Sequence, residues 1–175
     1  MTRNIVYSLT CLFFTIVIGG AVYEHLAVVP QWAAGPPASL SMFQGEYGLK
    51  AENFWIPIHP CALLLFITSI IMHWKTERKN NLLITALSYV AILIITRIYF
   101  VPELLSITGT PFSLSVDPSL AERGAMWEIL SLVRLGVLIV LALILFLGLS
   151  KSQVRVSSEE NNRAAKRKKK SFATA

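Results

Sequence analysis

Six ionisable side chains stand in parts of the sequence that are otherwise strongly apolar. They are Glu24, His25, His59, Arg97, Glu128 and Arg134. Charged and titratable groups are costly inside a membrane, so such positions point first to function. At 1.5 Å of helical rise per residue, they fall roughly 5–14 Å from the same end of their apolar segments. This shared depth predicts one polar cluster in one half of a helical bundle.

The residue types in this cluster suit acid–base chemistry on an oxygen-containing substrate. A histidine can act as a general base, and an arginine can stabilise negative charge that develops on oxygen. We therefore expect His25 to be the base, Glu24 to orient it, and Arg134 to hold the oxygen. For substrate binding we expect His59, Arg97, Tyr99, Trp127 and Glu128.

Two other interpretations of the cluster stay open. In the first, Arg134 and Arg97 pair with Glu24, Glu128 or Glu103, and the pairs only fasten the helices together, at about 0.6–2 kcal/mol per contact. In the second, His25 and His59, with nearby carboxylates, hold a metal ion. The cofactor is therefore unknown at this point, and a metal ion is one candidate.

The last apolar segment shows how these residues share a face. Trp127, Ser131 and Arg134 recur at i, i+4 and i+7, which places them on one stripe of a helix, with Glu128 at its edge. Lipid would not tolerate that stripe, so it should face the interior of the bundle.

The elements that carry these residues are four apolar segments in a chain that is 54% hydrophobic and only 15% charged. A helix needs about 20 apolar residues to cross a bilayer core of about 30 Å. The segments run over Ile5–Val29, Phe54–Met72, Leu82–Val101 and Ala125–Leu149. The sequence therefore predicts an all-α fold, an integral membrane four-helix bundle over residues 1–150, followed by a basic tail over residues 151–175.

The distribution of basic residues predicts the orientation. Of the 16 Lys and Arg residues, twelve lie in the N-terminus, in the connection from His73 to Asn81 and in the tail. By the positive-inside rule, both termini should be cytoplasmic. Two long outer loops, from Pro30 to Asn53 and from Pro102 to Gly124, would then face outward. We expect a multi-pass protein of the bacterial inner (plasma) membrane, with His73 as a residue that merely flanks the membrane.

The expected partners follow from this placement. The lipid bilayer would surround the bundle, a hydrophobic small molecule would reach the polar cluster, and the tail from Lys151 to Lys170 would attach to anionic lipid. The net charge of +6 arises mainly from that tail, so we expect no nucleic-acid binding.

Short motifs at the segment ends resemble the anthrone oxygenase-like family of small four-helix membrane proteins. The motifs are Tyr23-Glu24-His25 with Pro30 soon after, Phe100-Val101-Pro102-Glu103, and Trp127-Glu128 followed by Arg134. In that family a Pro directly follows the His, and Asn stands where this chain has Glu103. The resemblance implies a four-helix bundle and oxygen-dependent oxidation of a phenolic or polycyclic substrate.

We therefore expect an oxidoreductase that acts on a hydrophobic substrate entering from the bilayer. The alternative is a non-catalytic binding or accessory subunit whose polar cluster is structural. A transporter or channel is disfavoured, because the other half of the bundle has almost no polar residues to line a path.

Overall fold

The computed structural model describes residues 2–152, and within that range the chain is helical and contains no strand. The four long helices are α1 (Thr2–Trp32), α2 (Glu52–Met72), α3 (Lys79–Thr108) and α4 (Pro118–Ser150). Each is long and apolar enough to cross a membrane, so the prediction of four spanning helices is confirmed. The chain is a multi-pass integral membrane protein. The expected attachment of the tail to anionic lipid concerns mainly residues 153–175, which lie outside the described residues.

The connection between α3 and α4 is shorter than the sequence predicts. Helix α3 continues through Pro102 to Thr108, and α4 begins at Pro118, because the Asp117 side chain accepts hydrogen bonds from the first backbone N–H groups of α4. The expected loop from Pro102 to Gly124 is therefore reduced to residues 109–117. The first connection spans residues 33–51 and contains a short 3₁₀ helix, Ala38–Phe43.

Two wide π turns interrupt the long helices at matching places. One covers Glu24–Val28 in α1, and the other covers Thr96–Phe100 in α3. Each ends two residues before a proline, Pro30 or Pro102, which has no N–H to donate to the preceding turn. A π turn adds a residue to the helix and rotates the side chains that follow it, and such turns are frequent at functional sites.

The helices pack in the order α1, α2, α3, α4, with α4 returning to contact α1. We call the end with residues 33–51 and 109–117 the long-loop end, and the end with residues 73–78 the short-loop end. An apolar core that includes Phe14, Phe66 and Tyr89 fills the centre and the short-loop half. A second core, around Trp32 and Trp127, fills the long-loop end.

Side chains on the outside of the bundle are largely apolar, as contact with lipid requires. Large exposed examples from the four helices are Leu12, Leu64, Leu87 and Leu143. Apolar residues all round a helix are typical of membrane spans.

Basic side chains tie the helix ends together at the short-loop end. Arg78 donates hydrogen bonds to the carbonyls of Leu149 (2.9 Å) and Lys151 (3.1 Å), where α4 ends. His73 is fully buried, with its ring edge-on to Tyr7, so the prediction that it only flanks the membrane is wrong. This burial could not be predicted from the sequence, because it depends on how the helix ends pack against one another.

Candidate functional site

The Glu24 carboxylate begins the π turn of α1 and is anchored by α2. Its Oε1 accepts a hydrogen bond from the indole Nε1 of Trp55 at 2.6 Å. Trp55 lies in the first turn of α2, so this bond links α1 to α2 near the long-loop end.

The His59 imidazole is held between two aromatic residues. Its ring stacks on the Trp55 ring, with centroids 5.3 Å apart and planes inclined by 19°. Its Nδ1 forms a hydrogen bond with the Tyr89 hydroxyl at 2.7 Å, which links α2 to α3. The stacking therefore fixes the plane of the His59 ring, and one of its two nitrogens is hydrogen-bonded.

The Arg134 guanidinium extends from α4 into the same region. It donates hydrogen bonds to the hydroxyls of Thr96 (3.1 Å) and Ser131 (2.7 Å), and its Cζ lies 4.2 Å from the centroid of the Phe100 ring. Thr96 and Phe100 are the first and last residues of the π turn in α3. The turn thus supplies both a hydroxyl and an aromatic face to the cation.

Together these side chains form a layer that crosses the whole bundle. We define the polar layer as Glu24, Trp55, His59, Tyr89, Thr96, Ser131 and Arg134. Its three interhelical links run from α1 to α2, from α2 to α3 and from α3 to α4. Glu24 in α1, Thr96 in α3, and Ser131 and Arg134 in α4 lie between the two apolar cores, while Tyr89 belongs to the first of them. All seven side chains are at least partly buried, so electrostatic interactions within the layer are stronger than at an exposed surface.

Glu24 and Arg134 both belong to this layer but form no ion pair with each other. Arg134 acts electrostatically on both Glu24 and His59. Yet within residues 2–152 the only ion pair closer than 4 Å joins Arg123 to Glu103, at 2.8 Å. The carboxylate and the guanidinium are thus each held by neutral partners.

His25 is buried beside Glu24 but uses only one of its two nitrogens. Its Nδ1–H donates to the carbonyl of Ala21, one turn earlier in α1, at 2.8 Å. Its Nε2 is buried and has no partner among the described residues. In the neutral ring this nitrogen is a free acceptor, so it could take a proton from a bound molecule.

Two predicted binding residues lie on α4 between the polar layer and the long-loop end. Trp127 is buried, donates its Nε1–H to the carbonyl of Phe100 at 3.0 Å, and packs edge-on against Trp32. Its indole therefore belongs to the second apolar core. Glu128 is half-buried, and its carboxylate contacts no partner in the part of the chain that the structure describes.

The other two predicted binding residues point away from the polar layer. Arg97 follows Thr96 in the π turn, and its side chain is exposed on the surface of the bundle. Tyr99 is 38% exposed, and its ring packs edge-on against the ring of Phe100. Glu24, His59 and Arg134 thus belong to the polar layer, whereas Arg97 and Tyr99 do not.

The sequence did not indicate that three members of the layer bind its ionisable side chains. Tyr89 and Thr96 are ordinary residues of an apolar helix, and a Trp near the end of a spanning helix is typical of the membrane interface. Their roles depend on the register between helices, which one sequence does not contain. Ser131 was placed correctly on the stripe with Arg134 by its spacing.

Among residues 2–152, no group of three or more His, Cys, Asp and Glu side chains is placed to hold a metal ion together. His25 and His59 each commit Nδ1 to a protein partner.

Comparison of the chain with protein-family models, with curated proteins and with solved structures finds no match.

Proposed function

We propose that the polar layer binds a hydrophobic small molecule that carries a carbonyl or phenolic oxygen and enters from the bilayer. The protein would act as an oxidoreductase of the anthrone oxygenase-like kind. The observation that carries this proposal is the separation of Glu24 from Arg134. A base and a cation that interact but do not neutralise each other can act on one ligand from two sides.

The chemistry needs only groups that the chain supplies, together with dioxygen. A base removes a proton from the carbon next to the substrate carbonyl, and the guanidinium of Arg134 stabilises the resulting enolate oxygen. The enolate then reduces dioxygen, so that overall a CH₂ group and O₂ become a carbonyl and water. Glu24 is one candidate for the base, since it shares the layer with Arg134. His25 is the other, since its Nε2 is an unpaired acceptor.

The test uses anthrone as the probe and the full chain in lipid nanodiscs. Oxygen uptake and anthraquinone formation should exceed those of empty nanodiscs, which report the spontaneous reaction. Glu24→Gln and His25→Gln distinguish the two bases, because each keeps the size of the side chain and removes its basicity. Equal rates with wild type, both variants and empty nanodiscs would exclude the oxidation.

A second candidate function is a structural one, in a binding or accessory subunit. It is favoured by the three hydrogen bonds that link all four helices in series. A ligand that binds the folded state raises its stability. Anthrone added without oxygen should therefore raise the melting temperature of the wild type if the layer is a binding site. It should leave that temperature unchanged if the layer only fastens the helices.

We further propose that the long-loop end faces outward and both termini face the cytoplasm, in a bacterial inner (plasma) membrane. The support is the concentration of basic residues at the short-loop end and in the tail. A chain in which alanine replaces Cys11 and Cys61 provides the background for cysteine labelling. An impermeant maleimide should label Tyr47→Cys in intact cells and Lys75→Cys only after lysis, and the reverse pattern would invert the orientation.

A further inference from the structure

Arg97 differs from the other two arginines near the long-loop end, because it has no partner among residues 2–152. Arg134 is bound by Thr96 and Ser131, and Arg123 by Glu103. The Arg97 side chain is exposed, and among residues 2–152 it makes no hydrogen bond, ion pair or ring contact. A guanidinium on the membrane-facing surface of a spanning helix needs an anionic or strongly polar partner.

The height of Arg97 in the bundle can be read from its neighbour helix. His59 is bonded to Tyr89, and the two helices are antiparallel, so Glu52, the first residue of α2, lies level with Thr96. Helix α2 has 21 residues, which corresponds to roughly 30 Å and to the thickness of the hydrocarbon core. Arg97 therefore lies near one boundary of that core, within reach of the lipid headgroups.

The surface around Arg97 matches a phospholipid rather than a soluble anion. Ile94 and Ile98, on the same side of α3, are 54% and 73% exposed and provide apolar contact for an acyl chain. Tyr99 is partly exposed at the same height, where amphipathic aromatic residues are enriched in membrane proteins. The guanidinium can donate two parallel hydrogen bonds to a phosphate group, a geometry that lysine lacks.

We propose that Arg97, with Ile94 and Ile98, forms a binding site for one phospholipid, whose phosphate is held by the guanidinium. This site lies on the outside of α3 and is separate from the polar layer. It does not depend on the proposed oxidation. Within the π turn of α3, the Thr96 hydroxyl faces Arg134 in the interior, while Arg97, the next residue, lies on the surface.

The experiment counts the lipids that stay with the full chain. Wild type, Arg97→Gln, Arg97→Lys and the control Arg123→Gln are reconstituted with phosphatidylglycerol, extracted into mild detergent and weighed by native mass spectrometry. Melting temperatures establish that each variant is folded. We expect Arg97→Gln to retain about tenfold less phosphatidylglycerol, as the loss of a charge-assisted contact implies. Arg97→Lys should retain an intermediate amount, and Arg123→Gln should match the wild type.

Three results would overturn the proposal. One is equal retention of phosphatidylglycerol by the wild type and Arg97→Gln. Another is equal retention of diacylglycerol and phosphatidylglycerol by the wild type, which would mean that acyl contact alone holds the lipid. The third is a species containing two chains that is lost in Arg97→Gln, which would assign Arg97 to a carboxylate such as Glu128 of a second copy.

Discussion

The indole of Trp55 donates its N–H to the Glu24 carboxylate at 2.6 Å while the face of the same ring stacks on His59. One side chain in the first turn of α2 thus positions both an acid and an imidazole. Its effect on Glu24 is separable from its effect on His59, because the first uses the indole N–H and the second uses the ring.

Trp55→Phe should remove the hydrogen bond to Glu24 and keep an aromatic ring against His59. The carboxylate would then lose its neutral anchor, and we expect the free energy of unfolding to fall by about 1–2 kcal/mol. Steric trapping in detergent micelles measures that quantity. Trp74→Phe is the matched control, since Trp74 is exposed near the short-loop end. An equal loss in both variants would mean that ring size, not the bond to Glu24, matters.

Thr96→Val and Ser131→Ala should each remove one acceptor from the Arg134 guanidinium. Because both hydroxyls serve the same cation, we expect each single variant to cost about 1 kcal/mol, with a coupling energy of 0.5 kcal/mol or more in the double variant. A double-mutant cycle of unfolding free energies provides the test. Simple additivity would show that the two hydroxyls act independently and that Arg134 is not their common partner.

The sequence carried enough information to predict the four helices, because length and apolarity alone decide whether a segment can span a membrane. From the regular rise along each helix it also predicted that six ionisable residues share one depth, and three of them, Glu24, His59 and Arg134, belong to the polar layer. The sequence did not reveal where the helices depart from regular α-helical geometry. The π turn at Thr96–Phe100 changes the register of the α3 residues that follow it, and Arg97, the second residue of the turn, lies on the surface.

The continuation of α3 past Pro102 also changes the ion pair that Glu103 forms. It carries Glu103 to the start of α4, where the carboxylate binds Arg123 instead of Arg97 or Arg134. Partners such as Tyr89 were also beyond prediction, since they depend on the register between two helices. Such a register is set by packing and is not visible in the periodicity of either helix.

Tyr89→Phe should remove the hydrogen bond to Nδ1 of His59 while keeping the buried ring in the apolar core. We expect a destabilisation of about 0.6–2 kcal/mol and a changed ¹⁵N chemical shift for His59. Tyr99→Phe is the control, since its ring is partly exposed and its hydroxyl has no partner among the described residues. An unchanged His59 spectrum would contradict the link between α2 and α3.

Arg78→Gln should destabilise the protein far more than Arg123→Gln, although each variant removes one positive charge. Arg78 is buried and donates to the last carbonyls of α4 and to the Asn4 side chain, whereas the pair of Arg123 and Glu103 is partly exposed. We expect a loss of about 2–3 kcal/mol for Arg78 and at most about 1 kcal/mol for Arg123. Amide hydrogen exchange near Leu149 should rise only in Arg78→Gln, and equal exchange would refute the capping role.

His73 should make the protein less stable in mild acid. Burial lowers the pKa of His73 below its usual value of 6.5, with Arg3 and Arg78 acting in the same direction and a bond to the Ser69 carbonyl opposing them. As the pH falls below about 6.5, the unfolded chain binds a proton that the folded chain does not, so the folded state loses stability. The contribution is fully present above that pH and declines by at most about 1.4 kcal/mol per pH unit below it.

The measurement compares the free energy of unfolding at pH 7.5 and pH 5.5 in the wild type, His73→Gln and the control Trp74→Phe. The wild type and the control should lose more stability between these values than His73→Gln, which has no imidazole to protonate. If His73→Gln lost as much, the imidazole would be protonated equally in both states. Its ring would then be open to solvent at the short-loop end and not packed against Tyr7, where the structure places it.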